Sequence, residues 1–480
     1  MEKEELISNK VKGLLDAGLN PYPTSCARTH EIAQFQKDFT QLQETNAAVS
    51  LAGRIVSIRN HGNLSFIDIH DGTGSTQLIH EASTNQERFD LFNAHINTGD
   101  IIQVDGIAKT TKTGVNSLKI NSWELLTKTI STIPSDWYGL KNEEERYRKR
   151  YLDMMLNPKV VDNARKRSLF WNSIRSYMLE RDFVEVETPI LETHPSGARA
   201  RQFASHHNAL DIDVFLRISP ELWHKKLIIG GLPKVFEIGR VFRNEGMSPE
   251  HAQDYTAFEF YEAYTTAEDR IDFVIDLLRH AAKETFGTLE FSIRENPINL
   301  ASAWPVLEFS KLIEENFSFN LKTDSTEKLT DICSKLDPAG KRTTRQQMVE
   351  LLWKETQARL IAPCFVTKVP YFFAPLGKRT VSDPTLMDEY KIIIAGHDMG
   401  HFFNELNDPL DQLERFKEQQ KNNSGEAAEP LELTDHDHIE ALSYGMPPTF
   451  GLGLSERLFA FLSDTNIREA QLFPIMRPLS

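Results

Sequence analysis

The feature that most constrains this chain is an abrupt change of texture roughly a quarter of the way along it. Between residues 49 and 126, short apolar runs at 49–58, 64–70, 75–80, 101–108 and 117–126 read as strands. Turn-forming stretches separate them: Asn60-His-Gly62, Asp71-Gly-Thr-Gly74 and Thr113-Gly114. Five such strands suit a small closed barrel. Past a linker at 131–136 the elements lengthen, beginning with a helix expected over 160–181. There Phe170, Ile174 and Tyr177/Met178 form an apolar stripe at helical spacing. Strand-like runs at 213–218, 234–242, 255–261 and 390–395 alternate irregularly with helices, without a βαβ repeat. The expectation is an α+β protein of two domains, 1–135 and 136–480.

Composition narrows the class. Hydrophobic residues make up 40% and charged residues 26%, which excludes a wholly disordered chain. No apolar run reaches the ~18 residues of a membrane span. The acidic start, Met-Glu-Lys-Glu-Glu, matches neither a secretory nor a basic transit signal. Cys26, Cys333 and Cys364 lie far apart, which excludes a disulfide framework and points to a reducing, cytoplasmic setting. A net charge of −15 disfavours nucleic-acid binding by default, although local patches decide it. One basic patch, Arg146-Tyr-Arg-Lys-Arg150, follows Glu143-Glu-Glu145 and reads first as a solvated helix start.

Residues 2–18 read as an acidic amphipathic helix closed by Gly18 and Asn20-Pro-Tyr-Pro23. Residues 417–433 read as a polar insertion, with Thr434 as helix N-cap and His436 and His438 as solvated residues behind it. An OB-fold is one barrel of the expected size, and OB-folds commonly bind oligonucleotides. On the run 64–70, Ile67 and Ile69 share one face while Phe66 lies with Asp68 and His70 on the other. Phe66 is then either a base-stacking platform or a ring packed under a loop.

Three stretches carry candidate chemistry. Val186-Glu-Thr-Pro-Ile190 follows the long helix, and by itself is an ordinary strand end. Phe242-Arg-Asn-Glu-Gly246 precedes His251 and the run 255–261 with Glu259 and Tyr261. Arg243 and Glu245 alternate on an extended reading and so leave one face. An arginine can fork a phosphate, but a bare Arg-x-Glu is also a surface ion pair. Gly451-Leu-Gly-Leu-Ser-Glu-Arg457 leads into a helix, where glycines allow close approach to a nucleotide or merely cap the helix. No P-loop pattern occurs.

In this order the three stretches resemble the signature motifs of class II aminoacyl-tRNA synthetases. With the preceding barrel, the chain resembles the lysyl-tRNA synthetase family over nearly its whole length. The likeness includes His206-His-Asn-Ala-Leu210, Glu405-Leu-Asn-Asp-Pro409, Tyr444-Gly-Met-Pro-Pro-Thr449 and Phe473-Pro-Ile-Met-Arg-Pro478. The resemblance implies an OB-fold anticodon domain followed by an antiparallel catalytic sheet flanked by helices. It also implies a homodimer through the helix and strand around Pro189. It implies ATP, L-lysine and tRNA(Lys) as substrates and Mg²⁺ as cofactor. Arg243 and Arg457 become the catalytic residues, with Glu245, His251 and Tyr255 joining them on ATP. Glu221, Arg243, Glu259, Tyr261, His401, Phe403 and Glu405 become the lysine-binding set, Asp398 a metal ligand, and Phe66 and Gln77 anticodon contacts. Carboxylates suit an ammonium substrate, whereas an aspartate pocket needs Arg or Lys.

The chain departs from the family at several of these places. Lys391 stands where a metal-binding Glu is usual, Asp398 replaces another Glu, and His401 replaces an Asn. Ala252 follows His251 in place of Asn, Val115 takes the place of an anticodon-reading Glu, and the third motif is one residue short at Ser455-Glu456. The Lys391 ammonium could face a phosphate, or turn to solvent and leave Asp388 or Glu389 to a metal. The alternative function is a catalytically weakened paralogue that binds RNA or adenylate. A ligase acting on a protein is a third reading, and the barrel argues against it.

Overall fold

The computed structural model describes residues 11–133, 140, 142–194, 200–246, 248–338, 342–373, 377–423 and 435–478, without the side chains of 419–423. The chain divides into two compact units, Met1–Gly139 and Leu140–Ser480.

In the first unit, five strands close a barrel: β1 (Ala48–His61), β2 (Leu64–His70), β3 (Ser75–Glu81), β4 (Ile101–Thr110) and β5 (Asn116–Thr127). Their order is β1-β2-β3-β5-β4, and β4 returns to pair with β1. Alternation along β2 sends Ile67 and Ile69 into a core with Leu51, Leu78, Val104 and Trp123. Phe66, Asp68 and Gln77 stay on the outer face, where Asp68 is the cross-strand partner of Gln77. Of the N-terminal helix, only 11–16 falls within the described residues; Leu14 is buried, and Gly18 ends the turn at φ +73°.

The second unit is built on an eight-stranded sheet. Its strands, with the smaller ones that accompany them, are β6 (Val184–Glu185), β7 (Leu191–Glu192), β8 (Ala204–His207), β9 (Ile212–Leu216), β10 (Lys234–Phe242), β11 (Asp254–Ala263), β12 (Glu290–Ile293), β13 (Asn296–Asn299), β14 (Val306–Glu308), β15 (Cys364–Pro370), β16 (Leu386–Ile394), β17 (His397–Asn404) and β18 (Thr449–Ser455). The large sheet runs β14-β15-β16-β17-β18-β11-β10-β6. Its six central strands are antiparallel, and only the short edge strands β6 and β14 pair in parallel.

The Pro158–Leu179 helix starts on an Asn157 cap with proline in its first turn and buries Phe170, Ile174, Tyr177 and Met178. It packs on the Ile271–Phe286 helix, which stops at Gly287 in the left-handed region. Together they cover one sheet face, meeting Phe258, Phe260, Phe402 and Leu452. Each fully buried large apolar side chain contributes roughly 1.5–3 kcal/mol there.

Two expectations need correction. Arg150 is not solvated: it is fully buried, 2.9 Å from Asp153, and donates to the carbonyls of Gln471 and Leu472. The basic patch thus ties down the C-terminal segment. His438 is also fully buried, because its short helix packs against the Glu221–Ile229 helix; burial, then Lys225 and Lys226, lower its pKa to about 3. Asp435 caps that helix, while Thr434 lies outside the described residues.

Candidate active site

The face of the large sheet opposite the helices carries the site, and strand alternation explains its membership. Cross-strand neighbours share a face: Glu259 lies opposite Gly453, Tyr261 opposite Gly451, His401 opposite Gly453, Phe403 opposite Gly451, and Lys391 opposite His401. Gly451 and Gly453 therefore sit inside β18, not at a helix cap. A Cβ on Gly451 would overlap Glu405 Oε1 and the Tyr261 ring, so this glycine makes room for both side chains.

An acidic pocket forms at one end. Glu221 opens the Glu221–Ile229 helix, and Lys225, one turn later, reaches its Oε1 at 2.7 Å. The same ammonium lies 2.6 Å from Glu405 Oε2, and both residues are essentially sealed from solvent. Burial opposes charge on Lys225, but Glu221 and Glu405 outweigh it and hold the ammonium at about 12. Burial, the largest influence, raises the Glu405 carboxyl to about 8, with Lys225 pulling it down and Glu221 pushing it up.

Glu259 differs from its two neighbours. It accepts hydrogen bonds from Ser219 Oγ at 2.9 Å and Tyr261 Oη at 3.1 Å. Among the described residues no cation pairs with it within ion-pair distance. Burial, then the charge of Glu221, push its carboxyl up to about 7. Of the three carboxylates, Glu221 and Glu405 hold the Lys225 ammonium and Glu259 does not.

A cationic region lies along the same face. β10 ends at Phe242, and a hydrogen bond from Glu245 N–H to Arg243 O turns the chain, so Arg243 and Glu245 do not continue an extended strand. Arg243 Nε is buried without a partner, and its guanidinium lies 5.9 Å from the Tyr255 ring. Glu245 is exposed. Arg457 donates to Asp398 O at 3.0 Å and contacts His251 Nε2 at 3.2 Å, while its Nε has no partner. His251 Nδ1 lies 2.7 Å from Ser248 Oγ; burial, then Arg457, lower its pKa and favour a neutral ring.

Asp398 and Lys391 meet between these regions. Lys391 is buried, with its ammonium 3.0 Å from Glu389 Oε1 and 3.5 Å from Asp398 Oδ2. It neither turns to solvent nor leaves Glu389 free. Burial opposes its charge, yet the two carboxylates raise its pKa. The donor set does not fit a protein-held Mg²⁺, which wants several oxygens and no adjacent ammonium. Among the described residues no trio of His, Cys, Asp or Glu side chains converges for a metal.

Sequence reading missed Ser219, Lys225 and Arg294, and named Glu389 only as an alternative metal ligand. Lys225 had a signal in its spacing of four from Glu221; Ser219 and Arg294 had none. Arg294, from the β12–β13 turn, pairs with Glu250 at 2.9 Å, and His397 joins them at 3.2 Å. His397, then Arg294, hold the Glu250 carboxyl at about 2.

On the barrel, Phe66 is half-buried beside His61, with ring centroids 6.2 Å apart. Gln77 accepts from Ser117 Oγ at 3.1 Å, and Val115 is exposed.

A six-stranded antiparallel core carrying arginines and an acidic pocket, with a barrel in the other unit, defines a class. The family model described as tRNA synthetases class II (D, K and N) matches residues 142–477, and that described as OB-fold nucleic acid binding domain matches 49–126. The chain belongs to the class II tRNA synthetases of this group, and within it to the lysine–tRNA ligase family. The lysine–tRNA ligase of Fervidobacterium nodosum is 37% identical over 98% of this chain and 93% of its own. That of Thermotoga maritima is 36% identical, covering 99% and 96%, and that of Carboxydothermus hydrogenoformans 37% identical, covering 99% of both.

Proposed function

We propose that this protein is a lysine–tRNA ligase, which joins L-lysine to the α-phosphate of ATP, releases pyrophosphate, and transfers the lysyl group to the terminal ribose of tRNA(Lys). The observation that carries this reading is the pocket of Glu221, Glu259 and Glu405, in which Lys225 is the one cation paired with them among the described residues. Its net negative charge receives the side-chain or α-ammonium of lysine and repels aspartate. The full-length likeness to lysine–tRNA ligases supports the ligase over a weakened RNA- or adenylate-binding paralogue, which no observation favours.

In this reading Arg243 grips the α-phosphate and the lysine carboxylate, and its partnerless buried Nε is consistent with an anionic ligand. Arg457 meets the γ-phosphate, His251 and Glu245 the adenine and pyrophosphate side, and Tyr255 the adenine. Glu221, Glu259, Tyr261, His401, Phe403 and Glu405 enclose lysine. In-line displacement by the lysine carboxylate needs positioning and charge neutralisation more than proton transfer. Mg²⁺ enters as the counter-ion of ATP. Phe66 and Gln77 contact the anticodon.

We also propose a homodimer, supported by exposed apolar side chains around the first motif: Leu169, Leu179, Val184, Ile190 and Leu191. No helix among the described residues is long and apolar enough to cross a membrane, and the separated cysteines suit a cytoplasmic enzyme. Lysine-dependent ATP–pyrophosphate exchange across a panel of amino acids tests the assignment. Lysine alone supports exchange; equal exchange with aspartate overturns it.

A further inference from the structure

Resting on that reading, we propose that Lys391 is a built-in substitute for a protein-held divalent cation, so the enzyme takes up only the metal that ATP brings. The ammonium comes from β16 and lies between two carboxylates of different strands, Glu389 on its own and Asp398 on β17. That is the place and the role of a bridging cation: one positive centre shared by two oxygens across a strand pair. The arrangement is fixed, since Glu389 is fully buried and Lys391 nearly so.

What remains for a metal is poor. Asp398 Oδ1 is taken by the Gly400 N–H at 3.1 Å, and Oδ2 faces the ammonium. Glu389 Oε1 faces it too, with His401 Nδ1 3.8 Å away, and Glu389 Oε2 is buried without a partner. A hard divalent ion keeps several waters and needs convergent oxygens, and here it would lie against a fixed positive charge. The position is also connected to the nucleotide region, because the backbone carbonyl of Asp398 accepts from Arg457, which contacts His251. The permanent charge thus holds the two carboxylates together without dependence on free metal.

Mn²⁺ titration of the full-length protein, followed by electron paramagnetic resonance, tests this. With a saturating non-hydrolysable ATP analogue, the wild type takes up only the Mn²⁺ that the analogue carries. Lys391→Glu converts the ammonium into a third carboxylate and gains one further Mn²⁺ per chain, bound about tenfold or more tighter than any nucleotide-free site of the wild type. Lys391→Gln, which removes the charge without adding a carboxylate, covers the case in which Lys391→Glu does not fold; it strengthens nucleotide-free Mn²⁺ binding. Protein-held Mn²⁺ in the wild type beyond the nucleotide's own overturns the inference. So does a folded Lys391→Glu that gains no site, or a Lys391→Gln that binds as the wild type does. Lysine-dependent exchange by the wild type is scored separately. Its absence, with the Mn²⁺ pattern intact, counts against the ligase reading and not against the role of Lys391.

Discussion

The Nζ of Lys225 lies 2.6 Å from Glu405 Oε2 and 2.7 Å from Glu221 Oε1, so a buried side chain of the protein already occupies part of its acidic pocket. Removing the ammonium leaves two carboxylates facing each other out of water. Lys225→Met is therefore expected to lower stability by about 3–5 kcal/mol. Urea denaturation of the two proteins checks this, and a change below about 1 kcal/mol means the pocket relaxes or floods with water.

Among the described residues Glu259 has no cation within ion-pair distance, so the substrate ammonium is its natural partner. Glu259→Gln is expected to raise the KM for lysine by about a hundredfold, on the order of 3 kcal/mol, with little effect on the KM for ATP. Steady-state exchange kinetics measure both. An equal rise in both constants would point to collapse of the whole site.

The protonation of Glu259 couples lysine binding to pH. Burial and Glu221 hold its carboxyl at about 7 without ligand, above the ordinary 4.5. Below about 7 the pocket carries a proton that a bound ammonium must displace. Lysine affinity is thus expected to fall as pH drops through this value and to level off above it, with a proton released on binding near neutrality. For the ligand-free protein the sign is fixed likewise: the folded state binds this proton more tightly, so its contribution to stability declines as pH rises from 4.5 towards 7. Calorimetry in buffers of different ionisation enthalpy reads the released proton directly. Binding without proton release removes the assignment.

Phe66→Ala is expected to weaken aminoacylation of tRNA by ~1–3 kcal/mol, the usual worth of a base stacked on an aromatic ring. Exchange should stay nearly unchanged, because Phe66 belongs to the barrel unit and the pocket to the other. Equal losses in both assays would make Phe66 a packing residue.

Light scattering at micromolar concentration is expected to give twice the chain mass. Replacing Leu179 and Val184, both exposed, with glutamate should shift it towards the single-chain value. A wild type that scatters as one chain refutes the homodimer.

The sequence by itself determined the local elements and the members of the site. Alternation placed β2 at 64–70 and β10 at 234–242 with the bounds found in the structure, because strand pattern is a property of adjacent residues. The same periodicity sent Phe258, Phe260 and Leu452 to the core and left Glu259, Tyr261 and Gly451 on the opposite face. Motif order then pointed to Arg243, His251 and Arg457, which the fold brings to one face.

Pairings between distant charges were decided by tertiary structure alone. Nothing near Glu405 in the chain announces Lys225; their contact exists because a helix lies beside the end of β17. Composition made Arg150 and His438 look solvated, yet packing buried both, against the C-terminal segment and the Glu221–Ile229 helix respectively. Lys391 looked like a cation open to phosphate or solvent until strand pairing set it between Glu389 and Asp398. Backbone preferences act over a few residues, whereas the solvation and partner of a charge depend on which elements close around it.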